Sequence, residues 1–283
     1  MRRALLCLTL LALVLPSAAA ATSANVAALQ AALYGRGLYA GSVDGLRGPG
    51  TTRAVQRLQR RAGLAPDGVA GPRTRRALGR SGRHRYGSRR LHAGSVGWDV
   101  AALQFLLERH GFPCGGVDGG FGARTVSAVQ RLQAHYGLPV VGFAGPATRA
   151  ALRRAPAQSP LRLARPIAAA AGDRYGPRGN GWHAGLDFPA ATGTPVSAAG
   201  AGQVVFAGWD DGFGLTVVVA HRLGVRSRYA HLSRASVSVG ETVASGALIG
   251  RVGATGHATG PHLHFEVSVR GANADPALAL GGA

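Results

Sequence analysis

The 283-residue sequence contains no lysine, and it is also poor in acidic and aromatic residues. All 32 Lys+Arg positions are arginine, against 12 Asp+Glu, which gives a formal net charge of +20. Arginine, alanine and glycine in excess without lysine are typical of a GC-rich coding bias. The same charge also attracts polyanions over long distances. Nucleic acid is the usual polyanionic partner of so basic a chain, but no nucleic-acid-binding motif is present.

Cysteine and long apolar runs are scarce as well. The apolar run 4–15 follows Arg2 and Arg3 and precedes a stretch of small residues, 18–20. A membrane span needs about 20 apolar residues, so this pattern predicts a signal peptide over residues 1–20. Its cleavage would remove Cys7 and leave Cys114 alone, which excludes an intramolecular disulfide. We therefore expect a secreted protein, monomeric and without a membrane span.

An internal repeat with an offset of 74 residues fills the N-terminal half. Of the 53 residue pairs that begin with Val26 and Val100, 29 are identical. The shared motifs are V-A-A-L-Q, V-D-G, A-V-Q-R-L-Q and G-P-x-T. Apolar residues recur at helical spacing between glycine turns, so each copy is predicted to form three short helices. In the first copy, Thr51 or Thr52 is predicted to open the second helix.

These motifs resemble the peptidoglycan-binding-like repeat, a small three-helix domain found beside many wall hydrolases. The resemblance covers residues 25–79 and 99–153 and implies binding of glycan or stem peptide. A spacer domain without a ligand is the alternative. Residues 80–98, rich in glycine and arginine, are predicted to be a flexible basic linker, and 154–164 a second linker.

The composition changes after these linkers to β-branched residues that alternate between glycine turns. The segments 204–206, 215–219 and 263–267 are predicted strands. The fold class that follows is multidomain α+β. Two three-helix domains precede a mainly antiparallel β domain over residues 165–280.

Histidine is concentrated in that domain in three short motifs. They are His183-Ala-Gly-Leu-Asp187, Tyr-Ala-His231-Leu and Gly-Pro-His262-Leu-His264-Phe-Glu. On a strand, His262 and His264 share one face because side chains alternate with a period of two. Two imidazoles and one carboxylate suit a catalytic zinc ion, because they leave its fourth position open. Further histidines beside it can transfer protons or stabilise an oxyanion.

In this order the motifs resemble the lysostaphin-type metallopeptidase family, over residues from about 165 to 280. The resemblance implies one zinc ion per chain with His183, Asp187 and His264 as ligands, and His231 and His262 as catalytic residues. It implies an endopeptidase acting on the peptide part of bacterial peptidoglycan, with the anionic envelope as its partner. A mild departure is Ala258-Thr-Gly, where the family usually has Ser-Thr-Gly.

Two alternatives remain at this point. Two histidines and a carboxylate also bind Fe(II) in oxygenases, although the export signal and the second histidine pair argue against that class. A wall-binding regulator with a vestigial site is the other. Outside the motifs, His221, Asp210 and Cys114 are predicted to be structural, and Trp182 and Trp209 either line the cleft or pack. The sequence does not indicate which peptide bond is cut.

Overall fold

The computed structural model describes residues 22–281, so the predicted signal peptide lies outside the described residues. No helix of this part is long and apolar enough to cross a membrane. The helices are α1 (Ala24–Tyr34), α2 (Pro49–Arg61), α3 (Pro72–Ala77), α4 (Trp98–Arg109), α5 (Ala123–His135), α6 (Pro146–Ala151) and α7 (Pro276–Ala279). The strands are β1 (Gly176–Arg178), β2 (Gly181–His183), β3 (Leu186–Pro189), β4 (Pro195–Ser197), β5 (Gly202–Asp210), β6 (Gly214–Ala220), β7 (Val225–Ala235), β8 (Thr242–Val243), β9 (Leu248–Val252), β10 (His262–Val269) and β11 (Ala272–Ala274).

Each repeat forms three helices, α1–α3 and α4–α6, and the predicted α+β class is confirmed. The start of α2 was predicted too late. It begins at Pro49 after Gly48, because proline suits the first helical position, where no intrahelical N–H bond is lost. Thr51 is buried inside the first turn, where its hydroxyl accepts a hydrogen bond from the Gln30 amide at 3.2 Å.

A buried glutamine explains the repeated V-D-G motif. The Gln30 side-chain amide donates to Asp44 Oδ1 at 2.7 Å, and its oxygen accepts from the Gly45 N–H at 2.8 Å. In the second repeat, Gln104 binds Asp118 and Gly119 in the same way. Gly45 has φ +74°, which favours glycine. The motif therefore folds a tight turn onto the first helix of each repeat.

The two repeats share an apolar core. Helix α1 packs against α4, and one cluster of buried side chains joins Leu29 and Leu33 of α1 to Trp98 and Phe105 of α4. Burial of large side chains between the copies makes the pair one helical unit.

The segment 80–98 differs from the predicted flexible linker. It begins within a 3₁₀ helix, Gly79–Gly82, and its Leu91 is 2% exposed and pairs with Ala144 through both backbone groups. Two large apolar side chains, Leu91 and Trp98, are buried, which fixes a stretch that is otherwise rich in glycine and arginine. The domain boundaries themselves stay a prediction.

The C-terminal domain is built on an antiparallel sheet in the order β11-β10-β7-β6-β5-β8. Strand β3 pairs with β10, while β9 pairs with β4 and β7. The three predicted strands correspond to parts of β5, β6 and β10. Side chains of these three strands and of β7 form the core of the domain, which includes Val204, Val217, Tyr229, Leu263 and Phe265.

A separate hairpin, β1–β2, connects the β domain to both repeats. The carbonyl of Gly179 in its turn accepts from the Val43 N–H, and that of Asn180 accepts from the Val117 N–H, each at 2.7 Å. Val43 and Val117 are equivalent residues of the two V-D-G turns, so the hairpin is held by the same group of each repeat.

Candidate metal centre

The pairing of β3 with β10 assembles the centre. Asp187 on β3 lies directly opposite His264 on β10, and His183 ends β2 four residues earlier. Gly185 of the H-x-G-x-D motif lies between them against the imidazole of His264. A Cβ atom on Gly185 would be 2.6 Å from His264 Cε1, closer than any real contact. The glycine is therefore required by the close approach of the two strands.

The three predicted ligands offer donor atoms in a small triangle. His183 Nε2 is 3.1 Å from Asp187 Oδ1 and 3.1 Å from His264 Nδ1, and His264 Nδ1 is 2.8 Å from Asp187 Oδ1. They form a group able to hold a metal ion, and it is the one such group found within residues 22–281. Zinc–nitrogen bonds of about 2.0–2.1 Å at tetrahedral angles place donor atoms about 3.3 Å apart. The triangle fits a tetrahedral ion after a slight expansion.

The outer nitrogen of each ligand imidazole is held by a hydrogen bond. His183 Nδ1–H donates to the Arg174 carbonyl at 2.9 Å, and His264 Nε2–H donates to Glu266 Oε1 at 3.3 Å. In the neutral rings the inner nitrogens therefore carry lone pairs, which face each other and a carboxylate. Such an arrangement is stabilised by a positive charge at its centre, which is the usual environment of metal-binding histidines.

The pKa values of the cluster reflect the same need for positive charge. Burial alone would raise the pKa of Asp187, but the adjacent imidazoles of His183 and His264 hold that pKa far below its usual range. Burial lowers the pKa of His264, yet hydrogen bonds to Asp187 and Glu266 outweigh it and raise that pKa to about 9. A proton on His264 supplies the charge when no cation does, so a cation binds in competition with that proton.

The two remaining predicted histidines lie beside the triangle. The ring of His231 is 4.7 Å from that of His262 and 5.8 Å from that of His264. His231 Nδ1–H donates to the Thr255 carbonyl and His262 Nδ1–H to the Gly260 carbonyl, each at 2.8 Å. Both rings therefore keep Nε2 free, and His262 Nε2 lies 3.9 Å from Asp187 Oδ1. The structure brings all five predicted site residues together.

His231 also differs from most histidines in its backbone conformation and in the pKa of its ring. Its backbone φ of +60° is rare for a residue with a side chain, and its N–H donates to the Phe213 carbonyl at 2.9 Å. Strained residues of this kind are concentrated at functional sites. Burial lowers the pKa of its imidazole, which favours the neutral ring.

Sequence reasoning assigned no role to Glu266 and only a structural one to Asp210, which ends β5 directly before the turn to β6. Glu266 Oε2 pairs with Arg228 Nε at 3.3 Å, and Arg228 also pairs with Asp210. The chain His264–Glu266–Arg228–Asp210 therefore runs from the centre to the end of β5. The period of two along β10 was the available signal, since Glu266 follows His262 and His264 on one face. Arg228 and Asp210 carried no such signal, because they lie on other strands.

The other singled-out residues lie outside the centre. His221 bonds the Ala201 carbonyl and Ser227 Oγ, so it is structural as predicted. Cys114 is buried, and its thiol bonds Glu108 Oε1 at 3.3 Å. Trp182 packs against Phe105 of α4, with ring centroids 6.3 Å apart, whereas Trp209 is 63% exposed.

A cleft of about 300 Å³ opens beside the centre. Asp187 and His262 line it, together with Gly172, Asp173, Pro189 and the loop 259–261. The free Nε2 of His262 and the carboxylate therefore border space that a substrate can enter.

Comparison with known proteins divides the chain in the same way. The profile of "Peptidase family M23" matches residues 181–276. The profile described as "Putative peptidoglycan binding domain" matches residues 22–78 and 97–152.

Individual relatives match the C-terminal domain. The DD-carboxypeptidase/endopeptidase Mpg of Neisseria meningitidis is 45% identical over 94 residues, which are 33% of this chain and 22% of Mpg. Lysostaphin of Staphylococcus simulans is 44% identical over 98 residues, 32% of this chain and 20% of lysostaphin. The solved catalytic domain of that lysostaphin is 37% identical, with 40% of this chain and 93% of that chain covered and a TM-score of 0.39. This chain spans about a fifth of the length of the curated relatives it matches.

Proposed function

We propose that this chain is a secreted zinc endopeptidase that hydrolyses peptide bonds of bacterial peptidoglycan, with its active centre in the domain that the profile of peptidase family M23 matches over residues 181–276. One zinc ion per chain is held by His183, Asp187 and His264. The two N-terminal repeats bind the wall and present the C-terminal domain to it.

The observation that carries this proposal is the triangle of donor atoms. Its three edges measure 2.8–3.1 Å, and both imidazoles are oriented by hydrogen bonds on their outer nitrogens. A divalent cation held there supplies Lewis acidity, which makes water a strong nucleophile near neutral pH. A vestigial site would not need to keep the ligands and the groups that orient them.

His231 and His262 are the proposed proton-transfer residues. Each donates Nδ1–H to a backbone carbonyl, so Nε2 accepts a proton from water or binds the developing oxyanion once protonated. One ring can accept the proton while the other stabilises the oxyanion, and the accepted proton then passes to the leaving amine. The cleft beside His262 gives the scissile bond access to both.

The site of action rests on the sequence. The apolar run before residue 20 predicts export, and the net charge of +20 suits an anionic wall. Peptidoglycan, rather than nucleic acid, is therefore the proposed partner.

The test measures two quantities on the purified mature chain. We expect about one zinc ion per chain by elemental analysis, and release of soluble fragments from purified peptidoglycan with new amino termini by mass spectrometry. Removal of zinc by a chelator should stop the release, and zinc should restore it. Mass spectrometry of the fragments also identifies the bond that is cut.

The two alternatives predict different results. A wall-binding regulator would bind peptidoglycan and release nothing with zinc present. An iron oxygenase would contain iron and require oxygen, so an anaerobic assay separates it from a hydrolase. Either result would refute the proposal.

A further inference from the structure

A positively charged cavity lies between the first repeat and the segment that follows it. It measures about 380 Å³, and Arg47, Arg75 and Arg85 line it with Trp98. We call it the repeat-1 cleft. No acidic residue lines it, and the arginines that form ion pairs within residues 22–281 are elsewhere, at positions 89, 178 and 228. Three guanidinium groups therefore share one cavity without a counter-charge.

Two polar atoms of residues that line this cleft are buried without a partner. They are Arg75 Nε and the hydroxyl of Tyr86, two of the four such side-chain atoms in the described part of the chain. The Arg75 guanidinium lies over the Trp98 ring, 4.7 Å from its centroid, at the distance of a cation–π contact. Buried polar groups are nearly always hydrogen-bonded, so two unpaired groups within the wall of one cavity are unusual.

The second repeat shows what the equivalent cleft holds. There the chain's own segment 89–91 crosses the repeat, and Leu91 forms an antiparallel bridge with Ala144. Leu91 N donates to the Ala144 carbonyl at 3.2 Å, and Ala144 N donates to the Leu91 carbonyl at 2.8 Å. Arg149 donates to the Arg89 carbonyl at 3.2 Å. The cleft of the second repeat is therefore filled by a segment of the chain itself.

The corresponding groups are present in the first repeat, where Arg75 makes one long hydrogen bond, from Nη2 to the Gly82 carbonyl at 3.4 Å. With the offset of 74, Ala70 corresponds to Ala144 and Arg75 to Arg149. Ala70 makes no backbone hydrogen bond to any residue from 22 to 281, so its N–H and carbonyl are free to pair as those of Ala144 do. Both Ala70 and Arg75 line the cleft.

The two clefts differ in charge at two equivalent positions. In the second repeat, Asp99 accepts the Arg89 side chain at 2.7 Å. Its counterpart in the first repeat is the uncharged Asn25, and the counterpart of Phe121 is Arg47. The repeat-1 cleft has thus lost the carboxylate that receives a basic segment and gained a guanidinium.

We propose that the repeat-1 cleft binds an extended acidic peptide, pairing with Ala70 as Leu91 pairs with Ala144 and placing carboxylates on Arg47, Arg75 and Arg85. Guanidinium groups bind carboxylates through paired, charge-assisted hydrogen bonds. With the proposed function, on which this assignment rests, the peptide is the carboxylate-bearing stem peptide of peptidoglycan. The cleft then recognises the peptide part of the wall rather than its sugars.

The test titrates the full mature chain by calorimetry with three probes. They are a synthetic peptide of alternating glutamate and alanine, its glutamine counterpart, and purified soluble stem peptides. We expect the glutamate peptide and the stem peptides to bind and the glutamine peptide to bind at least about tenfold more weakly, since a charge-assisted hydrogen bond is stronger than a neutral one. Equal binding of the glutamate and glutamine peptides would overturn the proposal, as would binding of the glutamate peptide without the stem peptides.

Charge reversal locates the binding site. Arg47→Glu and Arg85→Glu should each weaken binding of the glutamate peptide about tenfold or more. Arg57→Glu, an exposed residue of α2 that does not line the cleft, reverses the same charge and should change binding less than about twofold. If all three variants weakened binding equally, the peptide would be attracted by net charge alone. That result would refute the repeat-1 cleft as the binding site.

Nuclear magnetic resonance tests the pairing without a mutation. On addition of the glutamate peptide, the amide signal of Ala70 and the Nε–H signal of Arg75 should shift, whereas the amide of Ala144 should not. No shift at Ala70 would contradict the extended pairing. Hydrolysis of the wall by a chain that binds no acidic peptide would refute this inference alone, and peptide binding without any hydrolysis would refute only the proposed function.

Discussion

His262 and His264 stand two residues apart on β10 and differ in what they contact. Both inner ring nitrogens lie near Asp187 Oδ1, but His264 Nδ1 is at 2.8 Å and His262 Nε2 at 3.9 Å. His264 is also held by Glu266, and His262 by a backbone carbonyl of its own loop. These contacts favour His264 as the ligand and His262 as the residue that faces the cleft.

Alanine variants separate the two roles. His183→Ala and His264→Ala should lose zinc and activity together, because each removes one of three protein ligands. His231→Ala and His262→Ala should keep about one zinc per chain and hydrolyse the wall roughly 10²–10⁴-fold more slowly. The measurements are zinc per chain and the rate of fragment release. If His262→Ala loses its zinc while His264→Ala retains it, the two roles must be exchanged.

Glu266 is a positioning residue in this arrangement. Glu266→Gln keeps the shape of the side chain but removes the charge that orients and polarises His264. We expect zinc affinity to fall about 10–100-fold, the usual effect of losing such an outer partner, measured by competition with a chelator. Glu241→Gln, an exposed change of the same kind, is the control. An unchanged zinc affinity in Glu266→Gln would show that the hydrogen bond to His264 is dispensable.

At the scale of elements, local sequence patterns predicted the helices and strands much better than they predicted which elements contact each other. The helices of each repeat, strands β5, β6 and β10, and all five histidine and aspartate positions follow from periodicity and motifs. The chain His264–Glu266–Arg228–Asp210 depends on which strands become neighbours, which local patterns do not specify. The burial of Leu91 in the segment 80–98 depends on a cleft formed by α4–α6, so composition alone indicated a linker.

The β1–β2 hairpin joins His183 to the helical unit through Trp182. Trp182→Ala should lower the free energy of unfolding by about 2 kcal/mol or more, because its ring is packed between Phe105 and Tyr175. It should also weaken zinc binding, since His183 is the next residue. Trp209→Ala is the matched control, expected to change stability by less than about 0.5 kcal/mol. Urea unfolding and chelator competition measure both effects, and equal behaviour of the two variants would contradict the coupling.

The end of α4 carries a pH-dependent contribution to stability. His110 is 3% exposed, and burial, helped by the charge of Arg109, lowers its pKa from 6.5 to about 4. The unfolded chain therefore binds this proton at higher pH than the folded one. The free energy of unfolding that neutral His110 contributes is fully present above pH 6.5. It should fall by roughly 1.4 kcal/mol per pH unit as the pH drops towards 4.

His110→Gln removes this dependence. The free energy of unfolding is compared at pH 7 and pH 5, which spans about the upper half of the range from pH 6.5 to 4. Its decrease between these two pH values should be smaller in His110→Gln than in the wild type. His84→Gln, which changes an exposed histidine, should keep the wild-type loss. The same slope in all three proteins would show that His110 does not contribute.

For the whole molecule, the net charge of +20 predicts salt-dependent wall binding. The full-length His231→Ala chain, chosen so that the wall is not digested, should sediment with peptidoglycan at about 0.1 M NaCl and much less at about 1 M, where the Debye length shortens from about 10 Å to 3 Å. Binding that does not change with salt would remove the electrostatic contribution, and no sedimentation at low salt would remove the role of the repeats in targeting.

The two hydrogen bonds from Val43 and Val117 to the β1–β2 turn set the distance between the repeats and the candidate metal centre. An enzyme on a flexible tether cuts anywhere within the radius of that tether, whereas here hydrogen bonds join both repeats to the β1–β2 hairpin. A peptide held by the repeats and the peptide being cut must then lie at one set separation and angle. For the endopeptidase proposed above, the mesh of the wall would become part of the specificity, because only strands spaced to match the molecule would be cut. Stretching or cross-linking the wall would change the rate of hydrolysis without any change in its chemistry.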